Sequence, residues 1–468
     1  MRTWWRRPID RVALLLGSVA AFTIAGQLLA PAAKAPETTV VVPISSLALA
    51  CPALPGDIDG YDVALKSALR SGKQTARIAL QTRRPANATV KPGAVRSIDV
   101  RSAAAALVSA NGAAATQLVA DASIVGTNTS TKGYATYACQ PPSASQWLIG
   151  GSSVAGRSAV LSIANIDDAP ATVNLEVWTD QGKSGARSLN GIEIPARSRE
   201  QLALTLIEPG RTMYGVHVVA TAGQVSAAII DRGQAALSSL GIDVVAPSVV
   251  PGVSQVIGII PDGAKAARIG FVSPSVPTTV RVSLLTQDGE FALAGAEAMA
   301  VDADKLNVIE LPDDALAGDV AVIVRADDPV AAGAVFSLNL RGGTDLASAA
   351  AMAPIYRAAS FTVDAAVSQA TALLLATRPT TATIVSGFGS SQTRKLVYLK
   401  AGEIKRVKIF GGSGTSRLVA IEPGIDGVIS GAVLLQRANL GMVATSVQPL
   451  LSIRGYVAVP PVAPALSR

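Results

Sequence analysis

The sequence predicts an all-β protein of about four tandem modules behind an N-terminal, membrane-directed segment. Three observations predict it: an eleven-residue pattern written four times, strings in which apolar and polar residues alternate, and an arginine-led apolar start. At 468 residues the chain is too long for one core, and a norm of roughly 100 to 200 residues per domain gives three or four. Apolar residues make up 49% but aromatics only 4%, so the cores must be built from small side chains.

The first element is the string MRTWWRRPIDR, in which Arg2, Arg6, Arg7 and Arg11 precede the uncharged stretch Val12 to Ala30. As a helix this stretch rises about 28 Å, enough to cross a hydrocarbon core of about 30 Å. Flanking arginines hold their end in the cytoplasm, so the rest of the chain is expected outside. Residues 1–35 are therefore expected to be a signal anchor or signal peptide. The favoured reading is a retained single-pass anchor in the cell membrane, with the N-terminus cytoplasmic and the bulk extracytoplasmic. The alternative is secretion after cleavage at Ala33-Lys34-Ala35, which Pro36 hinders, or at Ala30-Pro31-Ala32. Lipidation of Cys51 is disfavoured, because Ala48 rather than Leu stands three residues before it.

The formal charge of +7 is concentrated in that start. Beyond residue 35 the balance is 35 basic against 32 acidic residues, so no nucleic-acid partner is indicated. In an oxidising compartment the isolated pair Cys51 and Cys139 is expected to form a disulfide, with two unrelated buried thiols as the other reading. Closing that loop contributes at most about 4.5 kcal/mol in the chain-entropy account.

The repeat fixes the modules. VKPGAVRSIDV begins at Val90, IPARSREQLAL at Ile194, VDADKLNVIEL at Val301 and LKAGEIKRVKI at Leu399, with starts 104, 107 and 98 residues apart. Positions 1, 9 and 11 are apolar throughout and position 3 is Ala or Pro, the pattern of a turn followed by a strand with one buried face. After each string come two apolar runs about a turn, as in YGVHVVA and VSAAIID, which predict β-hairpins. Before it, Val173, Leu175 and Val177 alternate with Asn174, Glu176 and Trp178, and Val280, Val282 and Leu284 with Arg281 and Ser283.

Six or seven short strands per hundred residues predict tandem immunoglobulin- or fibronectin-like β-sandwich modules after the N-terminal transmembrane or signal helix, with a β-propeller as runner-up. The expected boundaries are 36–142 for the disulfide-stapled first module, then 143–252, 253–355 and 356–457, with a tail at 458–468. Proline-bearing segments such as YACQPP and VVAPSVVP fall where linkers belong. Only YDVALKSALR near Tyr61 and the Ala-rich stretch after Arg101 look helix-capable.

Chemistry is sparse. The single histidine, His217, lies in a predicted strand and is expected to be an ordinary strand residue. A Ser-His-Asp hydrolase needs an imidazole base, and a metal centre needs several such ligands. No GxSxG elbow, SxxK, GxGxxG or P-loop occurs. The pairs Asp167/Asp168, Asp313/Asp314 and Asp327/Asp328 are expected in turns, with surface calcium as the alternative. No catalytic residue, cofactor or metal ligand is assigned. Alternation puts Trp178 on a solvent-facing side, which makes it the one candidate ligand contact, although a locally shifted register burying it in the core is favoured.

The arginine-led segment, the early Cys51-Pro52, Cys139 in ACQPP before WLIGG, and the strings NIDDAPATVNLEVWTDQG and IPARSREQLAL resemble a family of actinobacterial exported, membrane-anchored proteins of unknown function. That resemblance covers nearly the whole chain and implies no activity, cofactor or catalytic residue. The function expected is a non-enzymatic, membrane-tethered array of modules in the cell envelope, acting as scaffold or protein-interaction surface. A glycan-binding accessory protein of cell-wall assembly and an unrecognised envelope hydrolase are the alternatives. Partners would be the cytoplasmic membrane through the N-terminal segment and an envelope protein or cell-wall glycan. Four modules end to end would reach on the order of 150 Å.

Overall fold

The computed structural model describes residues 38–43, 45–52, 61–81, 86–100, 105–340, 343–411, 414–437, 440–446 and 454–459. The chain is all-β, with 64% strand and 5% helix, and among the described residues the longest α-helix is the four residues Leu204–Ile207. Val12 to Ala30, the cleavage candidates and most of the expected tail lie outside the described residues. Among the described residues no helix is long and apolar enough to cross a membrane.

Strand β1 is Thr38–Pro43. A first group follows: β2 (Ser46–Cys51), β3 (Tyr61–Leu69), β4 (Ala76–Gln81), β5 (Ala86–Val90), β6 (Arg96–Val100), β7 (Ala105–Asn111), β8 (Leu118–Gly126) and β9 (Gly133–Ala138). The second holds β10 (Ser145–Gly150), β11 (Arg157–Asn165), β12 (Ala171–Thr179), β13 (Gly182–Lys183), β14 (Ile192–Ile194), β15 (Ser198–Ala203), β16 (Tyr214–Ala222), β17 (Ser226–Ala235) and β18 (Ser238–Val245). The third holds β19 (Gly252–Ile260), β20 (Ala264–Val272), β21 (Thr278–Thr286), β22 (Gly289–Ala292), β23 (Met299–Val301), β24 (Asn307–Glu310), β25 (Val320–Leu340) and β26 (Gly343–Ala350). The fourth holds β27 (Ala359–Val363), β28 (Val367–Ala376), β29 (Thr380–Ser386), β30 (Thr393–Leu399), β31 (Ile404–Gly411), β32 (Arg417–Pro423), β33 (Ile429–Arg437) and β34 (Gly441–Ser446). Last comes β35 (Arg454–Val459), which pairs antiparallel with β1 in a unit separate from Ser45–Leu451.

Each group forms two sheets in one order. In the first group these are β2-β7-β4-β5 and β6-β3-β8-β9; in the fourth they are β27-β32-β29-β30 and β31-β28-β33-β34. The second and third groups repeat the order, the third with a twist of its own: β25 lies in both sheets, pairing β19 and β21 through Val320–Ala326 and β20 and β26 further on. Both sheets feed one core, as in the second group, where Val173, Leu175 and Val216 face Leu161, Ile163 and Ile229.

The eleven-residue strings are where the chain leaves one sheet for the other. Position 1 ends an edge strand of the first sheet and is buried in every copy: Val90, Ile194, Val301 and Leu399. Position 4 turns the chain with positive φ at Gly93, Arg197 and Gly402, and the remainder forms the edge strand of the other sheet.

Several sequence expectations are corrected. The predicted hairpins, such as β16 with β17, are arches: β16 pairs β10 and β12, whereas β17 pairs β11 and β18. A turn between two apolar runs does not say whether the runs bond to each other or face each other across a core. The DQG and QDG turns, by contrast, are hairpins, pairing Thr179 with Gly182 and Thr286 with Gly289. YDVALKSAL is strand β3, and Ala105 onward is β7. The proline segments are not free linkers, because Gln140, Ser248 and Ala351 bridge back to the first strand of their own group at Ala50, Trp147 and Ile257.

The modules do not stand end to end. Within Ser45–Leu451 the last strands of the groups pack in a closed cycle, β9 on β18, β18 on β26, β26 on β34 and β34 on β9. The first strand of each group also leans on the next group: β2 on β11, β10 on β25, β19 on β33 and β27 on β8. Close approach at the centre requires glycine. A Cβ on Gly241, whose φ is +110, would lie 2.6 Å from the Leu346 nitrogen, and one on Gly133 would lie 2.9 Å from the Ile242 nitrogen. The cores run together accordingly, with Ala228 and Ile242 joining the first and Leu373 and Leu434 joining the third.

Candidate functional site

A polar and aromatic cluster sits on the outward face of the sheet β10-β16-β12. Register places Trp147 opposite His217 and His217 opposite Glu176, so three strands offer one side chain each to a single row. The neighbouring rows carry Ser145 with Val219 on one side and Gly215 with Trp178 on the other. Gly215 leaves room there for Val272 of the third group, whose Cγ2 would be 2.5 Å from any added Cβ.

Trp178 corrects the sequence reading in an instructive way. Its register is the one alternation predicts, on the same face as Glu176, yet it is only 1% exposed. It shares a buried cluster with Met213 of its own group and with Val272, Leu306, Ala331 and Val335 of the third group, which packs on this face. Neither solvent exposure nor a register shift describes it, and a surface ligand does not reach the ring. It stacks on Trp147 at 5.3 Å, Trp147 stacks on His217 at 4.0 Å, and the Lys183 ammonium lies 4.7 Å above Trp178. Each such contact is worth about 0.5–1.5 kcal/mol.

His217 is more than a plain strand residue. Its Nδ1 is 2.8 Å from Glu176 Oε2 and its Nε2 is 2.8 Å from Ser145 Oγ. Burial lowers the imidazole's pKa against the pull of Glu176, so the ring is neutral at pH 7. For Glu176, burial works the other way, but hydrogen bonds from Lys183 and His217 outweigh it and hold the carboxylate below its usual range. A carboxylate only accepts, so Nδ1 carries the proton and Nε2 accepts from the Ser145 hydroxyl. This is the bond order of a serine–histidine–acid relay. Acyl transfer also needs donors aimed at a developing oxyanion. The Ser145 N–H instead donates to Ser143 Oγ at 3.2 Å, and that hydroxyl donates to the Ser145 carbonyl. The histidine ring, clamped on Trp147, serves as a rung of the column. Sequence reasoning missed the trio because its members lie 72 and 41 residues apart and only strand register joins them.

Cys51 and Cys139 form a disulfide with Cα atoms 4.5 Å apart. It joins the end of β2 to the segment after β9, beside the Ala50–Gln140 bridge, and so ties the two sheets of the first group. Asp167/Asp168 lie in an exposed turn, as expected, whereas Asp313/Asp314 open a 3-10 helix at Asp313–Leu316 and Asp327/Asp328 lie within β25; Asp168 pairs with Arg197, Asp313 with Lys265 and Asp327 with Arg281. Among the described residues no group of three or more His, Cys, Asp or Glu could hold a metal ion. Three clefts open on the ring. One, near the disulfide, has Asp121 as its carboxylate; a second is lined by Tyr61, Arg157 and Arg232; the third holds Arg70, Arg394 and Glu422. None of these three brings two carboxylates together.

No curated protein matches the sequence. Among solved structures, PNGF-II in a P21 crystal form is similar at 7% identity over 80% of this chain and 99% of that one, with a TM-score of 0.14. Infectious bursal disease virus, Gx strain, is similar at 9% identity over 89% and 84%, with a TM-score of 0.10. Neither likeness reaches a level that carries an argument about fold or function. Residues 94–409, from the first string almost to the end of β31, match a family of unknown function, and the chain belongs to that family, DUF5719.

Proposed function

We propose that the chain is a non-enzymatic exported protein of the cell envelope, tethered to the cytoplasmic membrane by residues 1–35, whose four immunoglobulin-like modules form a rigid platform for envelope proteins. The observation that carries this reading is the closed cycle of last strands, which makes one stiff body of the four groups and turns their outer edge strands outward. The disulfide supports an oxidising compartment. The reading as a glycan-binding accessory protein rested on Trp178, which the third group covers.

Two measurements on cells making the full chain test the proposal. External protease should degrade the bulk of the protein on intact cells. Photo-cross-linkers on outer edge strands should capture one envelope protein reproducibly and release it to excess unlabelled chain. Protection from protease, or cross-links no more selective than those of an unrelated exported protein, would sink the reading.

A further inference from the structure

Charge is unevenly shared around the ring. Residues 36–355 carry 23 basic and 28 acidic side chains, whereas residues 356–446 carry 10 basic and 4 acidic. A mean surface therefore hides an acidic three-quarters and a basic fourth group.

Within that group the cations gather on one rim. Strands β30 and β31 are the outer edges of its two sheets, and Lys395 Nζ donates to the Lys408 carbonyl at 3.3 Å, which brings the two edges together. Arg394, Lys395, Lys400, Lys405, Arg406 and Lys408 are all exposed on these strands and their connection. Arg394 pairs with Glu422, Lys400 with Glu403 and Arg406 with Asp319, while Lys395, Lys405 and Lys408 have no ion pair among the described residues. Beside them Leu396 is 55% exposed and Tyr398 74%. Both project from the outward face of β30, next to Thr381 and Thr383 of β29.

Lysines on an edge strand also discourage edge-to-edge pairing. That role does not call for a bare leucine and tyrosine among them. Cations flanking an exposed aliphatic and an aromatic hydroxyl are the chemistry of a lipid–water boundary, where ammonium groups meet lipid phosphates and the apolar tips enter the headgroup region.

We propose that the β30–β31 rim docks onto an anionic phospholipid bilayer. This deepens the platform reading by naming a partner for one edge of it, and rests on that reading only for biological context. Each cation near an anionic leaflet strengthens attachment about fivefold, and the effect falls off within a Debye length of about 10 Å at 0.1 M salt.

The test is partition of the full chain onto vesicles of phosphatidylcholine alone and with one third phosphatidylglycerol. Residues 1–35 carry their own arginines but are common to all variants, so the change in the ratio between the two vesicles from wild type to variant isolates the rim. Lys395→Glu/Lys405→Glu/Lys408→Glu should lower binding to the anionic vesicles roughly a hundredfold, at about fivefold per cation, and leave phosphatidylcholine binding alone. Leu396→Ser/Tyr398→Ser should lower bilayer binding but not binding to soluble dextran sulfate. An unchanged ratio in the lysine variant overturns the proposal. So does an apolar variant indistinguishable from wild type on vesicles, which would mark the rim as a site for soluble polyanions. Equal melting temperatures of variants and wild type confirm that folding is intact. A vesicle failure with envelope cross-links preserved sinks the rim and spares the platform, and the converse pattern does the reverse.

Discussion

Two junctions of the ring meet the same geometric demand with opposite chemistry. Where β10 leans on β25, the outward faces of β25 and β20 carry Gly333 and Gly270, and the gap is filled by Ile149, Met213 and the stacked Trp147 and Trp178. Where β27 leans on β8, the corresponding faces of β8 and β3 carry Asp121 and Lys66, both nearly fully buried. Asp121 Oδ2 accepts from the Thr362 N–H at 2.7 Å and from its hydroxyl at 2.9 Å, which satisfies the free edge of β27. Lys66 donates to Ser123 Oγ and pairs with Asp364 at 3.2 Å. The first junction joins groups consecutive in sequence; the second closes the ring between the first group and the last. Apolar burial is strong and tolerant of register, whereas a buried polar network is stable only when every member finds its partner. The closure is therefore the more exactingly specified of the two junctions.

The comparison makes ranked predictions. Trp178→Ala empties the apolar junction and should cost about 3–5 kcal/mol in chemical denaturation; a loss under about 1 kcal/mol would mean the column is not structural. Next comes pH. Burial pushes the Asp121 carboxyl up to about 6, against its Thr362 hydrogen bonds and Lys66, and burial likewise pushes Asp243, in the central β18, up to about 7. A carboxyl with a folded pKa above its unfolded value of about 4 favours the folded state while protonated. That contribution is complete below about pH 4 and is lost as pH rises through 6 and then 7, on the order of 3 kcal/mol for Asp121 and 4 kcal/mol for Asp243. Asp121→Asn should flatten the first part of the decline, and stability that climbs across this window would break the account.

Gly333→Ala comes third. The added Cβ would lie 2.7 Å from the Ile149 carbonyl oxygen, so overpacking of about 1–3 kcal/mol is expected; unchanged thermal unfolding would show that the junction yields. The smallest effect belongs to Ser145→Ala on the exposed end of the column, under about 0.5 kcal/mol. Unchanged reactivity toward a fluorophosphonate probe is the companion readout, and covalent labelling of wild-type Ser145 would instead make the relay a working nucleophile.

Much of the strand content was legible, and its limits are specific. Alternation at Val173, Leu175 and Val177 gives β12 its inward face, and the four strings mark a turn and a strand because positions 1, 9 and 11 are apolar and position 3 is Ala or Pro. The predicted hairpins failed because local turn chemistry is blind to whether two apolar runs share a sheet. The YDVALKSAL segment misled because Leu65, Ala68 and Leu69 suit a helix face as well as Val63, Leu65 and Leu69 suit a strand. The Ser145–His217–Glu176 trio was invisible because cross-strand neighbours leave no spacing rule along the chain.

The sequence by itself determined an all-β chain with a turn-and-strand pattern written four times and a cysteine pair able to bond, since these follow from side-chain periodicity and turn stereochemistry within short stretches. Only the tertiary structure decided that the groups close on one another, that Trp178 is covered on a face its register leaves open, and that scattered lysines of β30 and β31 share one rim. Burial between groups depends on which surfaces meet across hundreds of residues, and no local pattern records that.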